Sequence, residues 1–218
     1  MPSPIHADQM RDPGTEMTDT SLRKTEYSIA EVFTQRWSPR AFDGSRLDES
    51  DLFRLFEAAR WAPSAFNVQP WRFLYALRGG PDWQRFLDLL VPANRDWAGN
   101  SSAIIFILSD RFMRDETGAP VEEAYSHAFD AGAAWGQLAL QAVHDGLHTH
   151  GIAGLDYERA YADLEIPDGF RIEMAVAVGR TGNPADLLTE LLLEREVPSD
   201  RLPVSQLAFA GNFPARSG

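Results

Sequence analysis

From residue 27 onward, apolar and polar residues alternate with periods typical of helices and strands. Apolar residues recur at helical spacing from Leu52 to Ala59, and Asp48 before them is a typical helix N-cap. Residues 103–109 (AIIFILS) are almost continuously apolar, which is typical of a strand buried on both faces. Helical and strand patterns follow one another without strict βαβ alternation, and this favours an α+β fold over a doubly wound one.

The same patterns predict the other elements. Strands are expected at 71–77, 103–109, 148–155 and 171–178, and helices at 29–36, 48–62, 82–90, 122–145, 156–164 and 184–196. The helix at 122–145 is rich in alanine and glycine. Small side chains let another backbone approach closely, so we expect this helix to be central or to lie at an interface.

Residues 1–26 lack this periodicity. Prolines and a glycine are scattered there among Asp, Thr and Ser. We expect a flexible leader over residues 1–26, followed by a single domain over residues 27–218.

The composition removes several function classes. The chain has 218 residues, a net charge of −12 and no cysteine. The missing cysteines exclude disulfides, thiolate zinc sites, iron–sulfur clusters and cysteine nucleophiles. The acidic balance argues against a nucleic-acid or anionic-membrane partner. No secretory signal and no apolar run of about 20 residues is visible, so we expect a cytoplasmic location.

One cationic motif suits a phosphate. Arg36, Ser38 and Arg40 lie in the pentapeptide RWSPR at the end of the first predicted helix. Pro39 favours an extended Ser38, so two guanidinium groups and a hydroxyl can converge on one anion. The alternative is a helix C-terminus that carries cations, which the helix dipole favours.

A second motif offers neutral hydrogen-bonding groups. Residues 62–73 (APSAFNVQPWRF) hold Ser64, Asn67 and Gln69 between two prolines. Amide side chains provide both donors and acceptors, as a planar heteroaromatic ring requires. The alternative is a loop whose Ser and Asn side chains bond their own backbone.

Two histidines alternate on one predicted strand. His148 and His150 have a spacing that metal sites sometimes use. No carboxylate partner stands out nearby, so we predict ordinary packing and no metal site.

Taken in order, these motifs resemble the FMN-dependent nitroreductase family. RWSPR followed by PSAFNVQPWRF resembles the family's first two cofactor motifs. Asn94, the segment 151–156 (GIAGLD), the strand 176–179 (VAVG) and Arg201 with Pro203 match later motifs. The resemblance covers residues 28–209.

The resemblance implies a role for each matching residue. Arg36, Trp37, Ser38 and Arg40 would hold the FMN phosphate and ribityl chain together with Arg201. Asn94 would reach the pyrimidine edge, and Ala153 and Gly154 would present backbone near the flavin N5, where a side chain at 154 would crowd the ring. The loop residues expected along the isoalloxazine, some of them from the partner subunit, are Pro63, Ser64, Asn67 and Gln69. The substrate-pocket candidates are Trp97, Phe112 and Tyr125.

The resemblance also implies the architecture and the reaction. The fold would be a three-layer α+β structure with a central mixed or antiparallel sheet, in a domain-swapped homodimer whose C-terminal extension reaches the partner. NADH or NADPH would pass hydride to flavin N5, and a nitroaromatic, a quinone or another electron-poor small molecule would accept it. No catalytic protein residue is expected, because the flavin carries the chemistry.

Departures from the family pattern keep other activities open. Many relatives have glutamate at Ala153, and lysines at the positions of Trp97 and Ser199. The alternatives are a flavin destructase or a reductive dehalogenase of the same fold, a non-catalytic flavin-binding protein, or a structural domain without a cofactor.

Overall fold

A computed structural model describes residues 23–214. Its strands are β1 Trp71–Leu77, β2 Ala103–Asp110, β3 Phe112–Arg114, β4 Pro120–Glu123, β5 His148–Ile152 and β6 Phe170–Gly179. Its helices are α1 Val32–Gln35, α2 Glu49–Arg60, α3 Trp83–Asp88, α4 Pro92–Ala98, α5 His127–His144, α6 Tyr157–Asp163, α7 Pro184–Leu187 and α8 Glu190–Leu193. Single 3₁₀ turns lie at Ala65–Asn67 and Val204–Gln206.

The central sheet has the strand order β1-β2-β6-β5, and every neighbouring pair is antiparallel. Helices α2 and α5 pack on one face, where Leu52, Leu55 and Leu138 are fully buried. Helices α3, α4 and α6 cover the other face around Phe106. This three-layer arrangement confirms the predicted α+β fold with an antiparallel sheet flanked by helices.

Local sequence explains the strongest elements. Every residue of β2 is buried, because β2 is a central strand with helices above and below it. Helix α2 begins with a capping box, in which the Asp48 side chain accepts from the third helical amide while Asp51 accepts from the Asp48 amide.

Several predicted boundaries were wrong. The helix expected from residue 122 starts at His127, because residues 120–123 pair with β3 in a two-stranded hairpin. The helix expected over 184–196 is two short helices, since Leu188 between them is extended. Helix α4, which begins with Pro92, was not predicted.

Helix α5 has one packed face and one open face. Ala131, Ala134 and Leu138 face the core, in agreement with a central helix. On the other side, a methyl group added at Gly132 or Gly136 would meet no atom within 4 Å. Phe129, on the first turn of the helix, is 82% exposed. The open face therefore combines small residues with an exposed aromatic ring.

The N-terminal end of the described chain lies against part of the C-terminal segment. Residues 23–26, the described part of the predicted leader, lie beside residues 199–204. The Arg23 guanidinium donates to the carbonyl oxygens of Thr34, Arg36 and Ser199 at 2.8–3.0 Å. The rest of the predicted leader lies outside the described residues. Within residues 23–214, no helix is long and apolar enough to cross a membrane.

Candidate functional site

A cavity of about 300 Å³ is lined in part by His150 of the edge strand β5, and its lining is strongly cationic. Arg36, Trp37, Ser38, Arg40 and Arg201, all predicted from the sequence, line it together. The remaining lining residues are Arg23, His150, Arg195, Val197 and Ser199. We refer to it below as the arginine cavity.

The RWSPR segment forms one wall of the arginine cavity. Helix α1 ends at Gln35, and the next residue, Arg36, has a ψ of 117° that turns the chain into an extended segment. The buried Glu196 carboxylate holds this segment, since its Oε1 accepts from the Arg40 and Ala41 amides at 2.6 and 2.8 Å. Its Oε2 lies 3.7 Å from the Arg40 guanidinium. Sequence reasoning missed Glu196, because no local pattern links it to a segment 156 residues away.

Sequence reasoning also missed Arg23 and Arg195. Arg23 belongs to the predicted leader, where no apolar periodicity marked it as part of the domain. Its three hydrogen bonds to backbone carbonyls join the N-terminal segment, the end of α1 and the C-terminal segment. Arg23 therefore ties together the walls of the arginine cavity and adds a positive charge to it.

The arginines repel one another. Burial lowers the pKa of Arg36 below its ordinary value, and the positive charges of Arg201 and Arg23 lower it further. Arg23 likewise has a lowered pKa, first through burial and then through Arg201, while Asp200 opposes the shift. A site that holds guanidinium groups together at this cost suits a dianionic phosphate, which would form charge-assisted hydrogen bonds with them.

Two histidines of β5 lie under the arginine cavity. His150 lines it, its Nδ1 lies 2.9 Å from the Pro39 carbonyl oxygen, and its ring packs on Trp97 with centroids 4.6 Å apart. The His148 ring meets Trp37 edge-on at 6.3 Å. Within residues 23–214, no group of three or more histidines and carboxylates is placed to hold a metal.

Trp97, expected from the sequence as a substrate-pocket candidate, is buried in the described chain. Its side chain is 3% exposed and lies in the core cluster of α3, α4 and α6. It stacks on Phe42 on one side and supports His150 on the other. The residue expected beside a substrate therefore forms the floor beneath the arginine cavity.

Asn94 and Gly154 contact each other just beyond the C-terminal end of β5. The Asn94 side-chain amide donates to the Gly154 carbonyl oxygen at 3.3 Å. A Cβ atom at Gly154 would lie 2.4 Å from Asn94 Nδ2 and 2.9 Å from Val91 Cγ2. A larger residue at 154 would therefore require the Asn94 and Val91 side chains to move. The adjacent Ala153 is exposed.

The loop 63–70 has an unusual backbone. Phe66, Asn67 and Gln69 have φ values of 52°, 57° and 50°, which few residues other than glycine adopt. Asp130 pins the loop to α5, because its Oδ2 accepts from the Ala65 amide at 3.2 Å and from the Ser126 hydroxyl at 2.9 Å. Phe66 is 90% exposed. Backbone held in such conformations is concentrated at functional sites.

Within one chain, the loop 63–70 and the arginine cavity are far apart. The loop leads into Trp71 at the start of β1, whereas His150 lies on β5, the opposite edge strand. Three inter-strand spacings separate these strands by about 14 Å, and the register displaces His150 from Trp71 by about five residues along them, or roughly 17 Å. The predicted site residues thus form two groups.

The other two substrate-pocket candidates lie on the side of the loop. Phe112 and Asn67 line a second cavity of about 340 Å³ with Arg72 and Arg114. Tyr125, in the turn before α5, is 97% exposed. Both are remote from the arginine cavity in the same chain.

Comparison with known proteins connects these features to a family. A family model described as the nitroreductase family matches residues 33–91, which include both RWSPR and the loop 63–70. A putative NAD(P)H nitroreductase of Bacillus subtilis, YdgI, is 32% identical over 103 residues, or 47% of this chain and 46% of that protein.

Two further similarities cover more of the chain. An uncharacterised 15.4 kDa protein of Mycolicibacterium smegmatis is 35% identical over 150 residues, which cover 65% of this chain and 97% of that protein. A crystal structure described as an oxidoreductase containing FMN is 44% identical and has a TM-score of 0.86. That match covers 92% of this chain and all of the other.

Proposed function

The chain belongs to the nitroreductase family, and we propose that it is an FMN-dependent oxidoreductase. It would use NADH or NADPH to reduce nitroaromatic compounds, quinones or other electron-poor small molecules. When bound, FMN supplies hydride chemistry at its N5 atom, and the chain supplies binding and electrostatics.

The observation that carries the proposal is the arginine cavity. Arg36, Arg40 and Arg201 converge there from segments more than 150 residues apart in sequence, in a chain whose net charge is −12. A local excess of guanidinium groups fits the phosphate of FMN. Trp37 and Ser38 line the same cavity, as the resemblance to the family implies.

A path for the rest of the cofactor follows β5. Ala153 and Gly154 lie three and four residues beyond His150, about 10–13 Å along the strand direction. Asn94 meets Gly154 there and has an amide suited to a pyrimidine edge. The phosphate end and the ring end of one cofactor would therefore occupy successive parts of the same edge.

The separation of the two groups of site residues supports a homodimer. Pro63, Ser64, Asn67 and Gln69 lie on the opposite edge of the sheet from the arginine cavity, so they would contact the cofactor bound by the partner. The open glycine face of α5 offers a surface for close packing of two copies. Beyond the residues that line the arginine cavity, the segment 205–214 carries exposed apolar residues such as Phe209 and Phe213, which suit an extension that reaches the partner.

The visible spectrum of the purified protein tests the proposal. We expect flavin bands after reconstitution with FMN, and we expect them to bleach when NADH or NADPH is added without oxygen. A protein that binds FMN but does not bleach would be a flavin-binding protein without this activity. A protein that remains colourless with FMN would contradict the proposal as a whole.

Arginine substitutions test the position of the phosphate. Arg201→Ala and Arg40→Ala should each weaken FMN binding by about 1.5–3 kcal/mol, because each removes a charge-assisted hydrogen bond. The matched control is Arg60→Ala, whose guanidinium pairs with Glu57 on the exposed side of α2. Fluorescence titration of FMN measures all three. Equal affinities in all variants would mean that the phosphate lies elsewhere.

A substitution on the open face of α5 tests the homodimer. Gly136→Leu places a large side chain where two helices would approach closely, so we expect a monomer in light scattering. The monomer should retain the binding of inorganic phosphate and lose most of its affinity for FMN, because the partner's loop is removed. The control is Gln137→Leu, one position along the same helix. Another glycine near the helix, Gly146, would not serve as a control, because its φ of 71° makes any side chain there strained. A dimer that survives Gly136→Leu would contradict the proposed interface.

A further inference from the structure

His150 contributes a polar atom to the arginine cavity that the proposed phosphate contacts do not use. Its Nδ1 lies 2.9 Å from the Pro39 carbonyl oxygen, which can only accept a hydrogen bond. The proton of a neutral His150 therefore sits on Nδ1, and Nε2 carries a lone pair. Nε2 makes no hydrogen bond within residues 23–214 and is not among the buried unpaired atoms there, so it remains accessible.

The ring is held in place and held neutral. Packing on Trp97 fixes its plane from below. Burial, together with the charges of Arg40 and Arg36, lowers the pKa of His150 to about 4 against the opposing effect of the Pro39 and Ser38 carbonyls. At neutral pH, Nε2 is therefore an acceptor.

The other polar side chains in the lining are donors only, or hydroxyls that already accept one hydrogen bond from a neighbouring arginine. The arginines can only donate. The Ser38 hydroxyl accepts from Arg36 at 3.4 Å, and the Ser199 hydroxyl accepts from Arg201 at 3.1 Å. Among the described side chains of the lining, Nε2 of His150 is thus the acceptor that receives no hydrogen bond from another described group.

We infer that His150 accepts a hydrogen bond from a hydroxyl group next to the phosphate of the bound ligand, so that the arginine cavity selects a phosphorylated polyol over free phosphate. This inference rests on the proposed function, in which the ligand is FMN and the polyol is its ribityl chain. His150 is then a binding residue that recognises the group attached to the phosphate, while the arginines bind the phosphate itself.

Two substitutions of His150 distinguish the roles of its two ring nitrogens. The Asn side-chain amide can take the place of Nδ1 and keep the bond to Pro39, whereas the Gln amide reaches the place of Nε2 and offers an acceptor there. Both lose the ring that packs on Trp97, so a difference between His150→Asn and His150→Gln reports the acceptor rather than the packing. Calorimetric titration with FMN, ribose 5-phosphate and inorganic phosphate measures the three affinities.

We expect His150→Asn to weaken the binding of FMN and of ribose 5-phosphate by about 2- to 12-fold. The affinity for inorganic phosphate should stay within about twofold of the wild type, since removing a neutral acceptor costs no charge-assisted contact. His150→Gln should bind both esters within about threefold of the wild type, if one ordinary hydrogen bond is restored.

Three results would overturn the inference: equal losses in the two variants, an equal loss for phosphate and its esters, or no binding of either ester to the wild type. A wild type that binds ribose 5-phosphate but not FMN would instead contradict the proposed function. In that case the comparison of ribose 5-phosphate with phosphate still tests His150 on its own.

Discussion

The arginine cavity and the loop 63–70 are built in opposite ways. The cavity is preorganised within one chain, since Glu196 and Arg23 fasten its walls by hydrogen bonds between segments far apart in sequence. The loop is exposed, has three residues with positive φ and presents Phe66 to solvent. A cavity complete in itself suits the binding of an anion, whereas the loop has the form of a surface that another molecule completes.

This difference assigns different physical tasks to the two regions. In the cavity, arginines repel one another, and the dianion of the proposed function would relieve that repulsion. In the loop, backbone strain is tolerated because Asp130 holds the turn in place. Substitutions that act on one region and spare the other show whether the two are independent within one chain.

The largest expected effect of a single substitution is that of Glu196→Ala. The variant leaves the Arg40 and Ala41 amides without their acceptor and the Arg40 guanidinium without its partner, so the free energy of unfolding should fall by about 3–5 kcal/mol. Urea unfolding measures the loss. On the loop side, Asp130→Ala should cost less, about 1–3 kcal/mol, because it removes two hydrogen bonds and no ion pair.

Hydrogen exchange locates these two losses. Glu196→Ala should raise exchange in residues 36–41 and leave 63–70 unchanged, and Asp130→Ala should do the reverse. Exchange that rises in both regions in either variant would show that the regions are coupled within the chain.

Lowering the pH should also reduce the free energy of unfolding, through two buried histidines near the arginine cavity. Burial lowers the pKa of His148 and of His150 from 6.5 to about 4, so the unfolded chain binds more protons than the folded chain between these values. Stability is therefore fully present above pH 6.5 and is lost as the pH falls toward 4, by about 3 kcal/mol for each histidine. Urea unfolding from pH 7.5 to pH 4.5 measures the slope.

Two substitutions show which region contains the histidines responsible for the acid-dependent loss of stability. His148→Gln should remove about half of the acid-dependent loss, since its amide does not titrate. On the loop side, burial and Arg171 lower the pKa of His127, while Glu173 opposes the shift. His127→Gln should therefore change the slope less. A larger effect of His127→Gln would place the acid sensitivity on the loop side.

The sequence predicted local features well and tertiary ones poorly. RWSPR identified Arg36, Ser38 and Arg40 because a proline next to a helix end turns the chain, and the capped helix after Asp48 followed from its own residues. The roles of Arg23 and Glu196 were not predicted. Each forms hydrogen bonds to segments more than ten residues away, and no local pattern indicates them. The burial of Trp97 was not predicted for the same reason. The packing of its ring against His150 depends on how α4 packs against β5, which no local pattern shows.

The smallest expected effect is that of Phe66→Gly. A non-glycine residue in the left-handed region costs about 1–2 kcal/mol, and glycine loses about 0.5–1 kcal/mol more than another residue in conformational entropy on folding. Phe66 is almost fully exposed, so the substitution removes little packing within the chain. In the Gly136→Leu background, where we expect a monomer, Phe66→Gly should therefore raise the free energy of unfolding by about 0.5–1 kcal/mol.

Ala65→Gly is the matched control, because Ala65 lies in the same turn without a positive φ and should lose about 0.5–1 kcal/mol. In the otherwise wild-type background, Phe66→Gly should weaken FMN binding if the exposed ring reaches the cofactor of the partner in the proposed homodimer. A loss of stability in the monomeric background would show that Phe66 packs within its own chain. The strain at φ 52° would then serve the fold of the loop rather than its presentation to a partner.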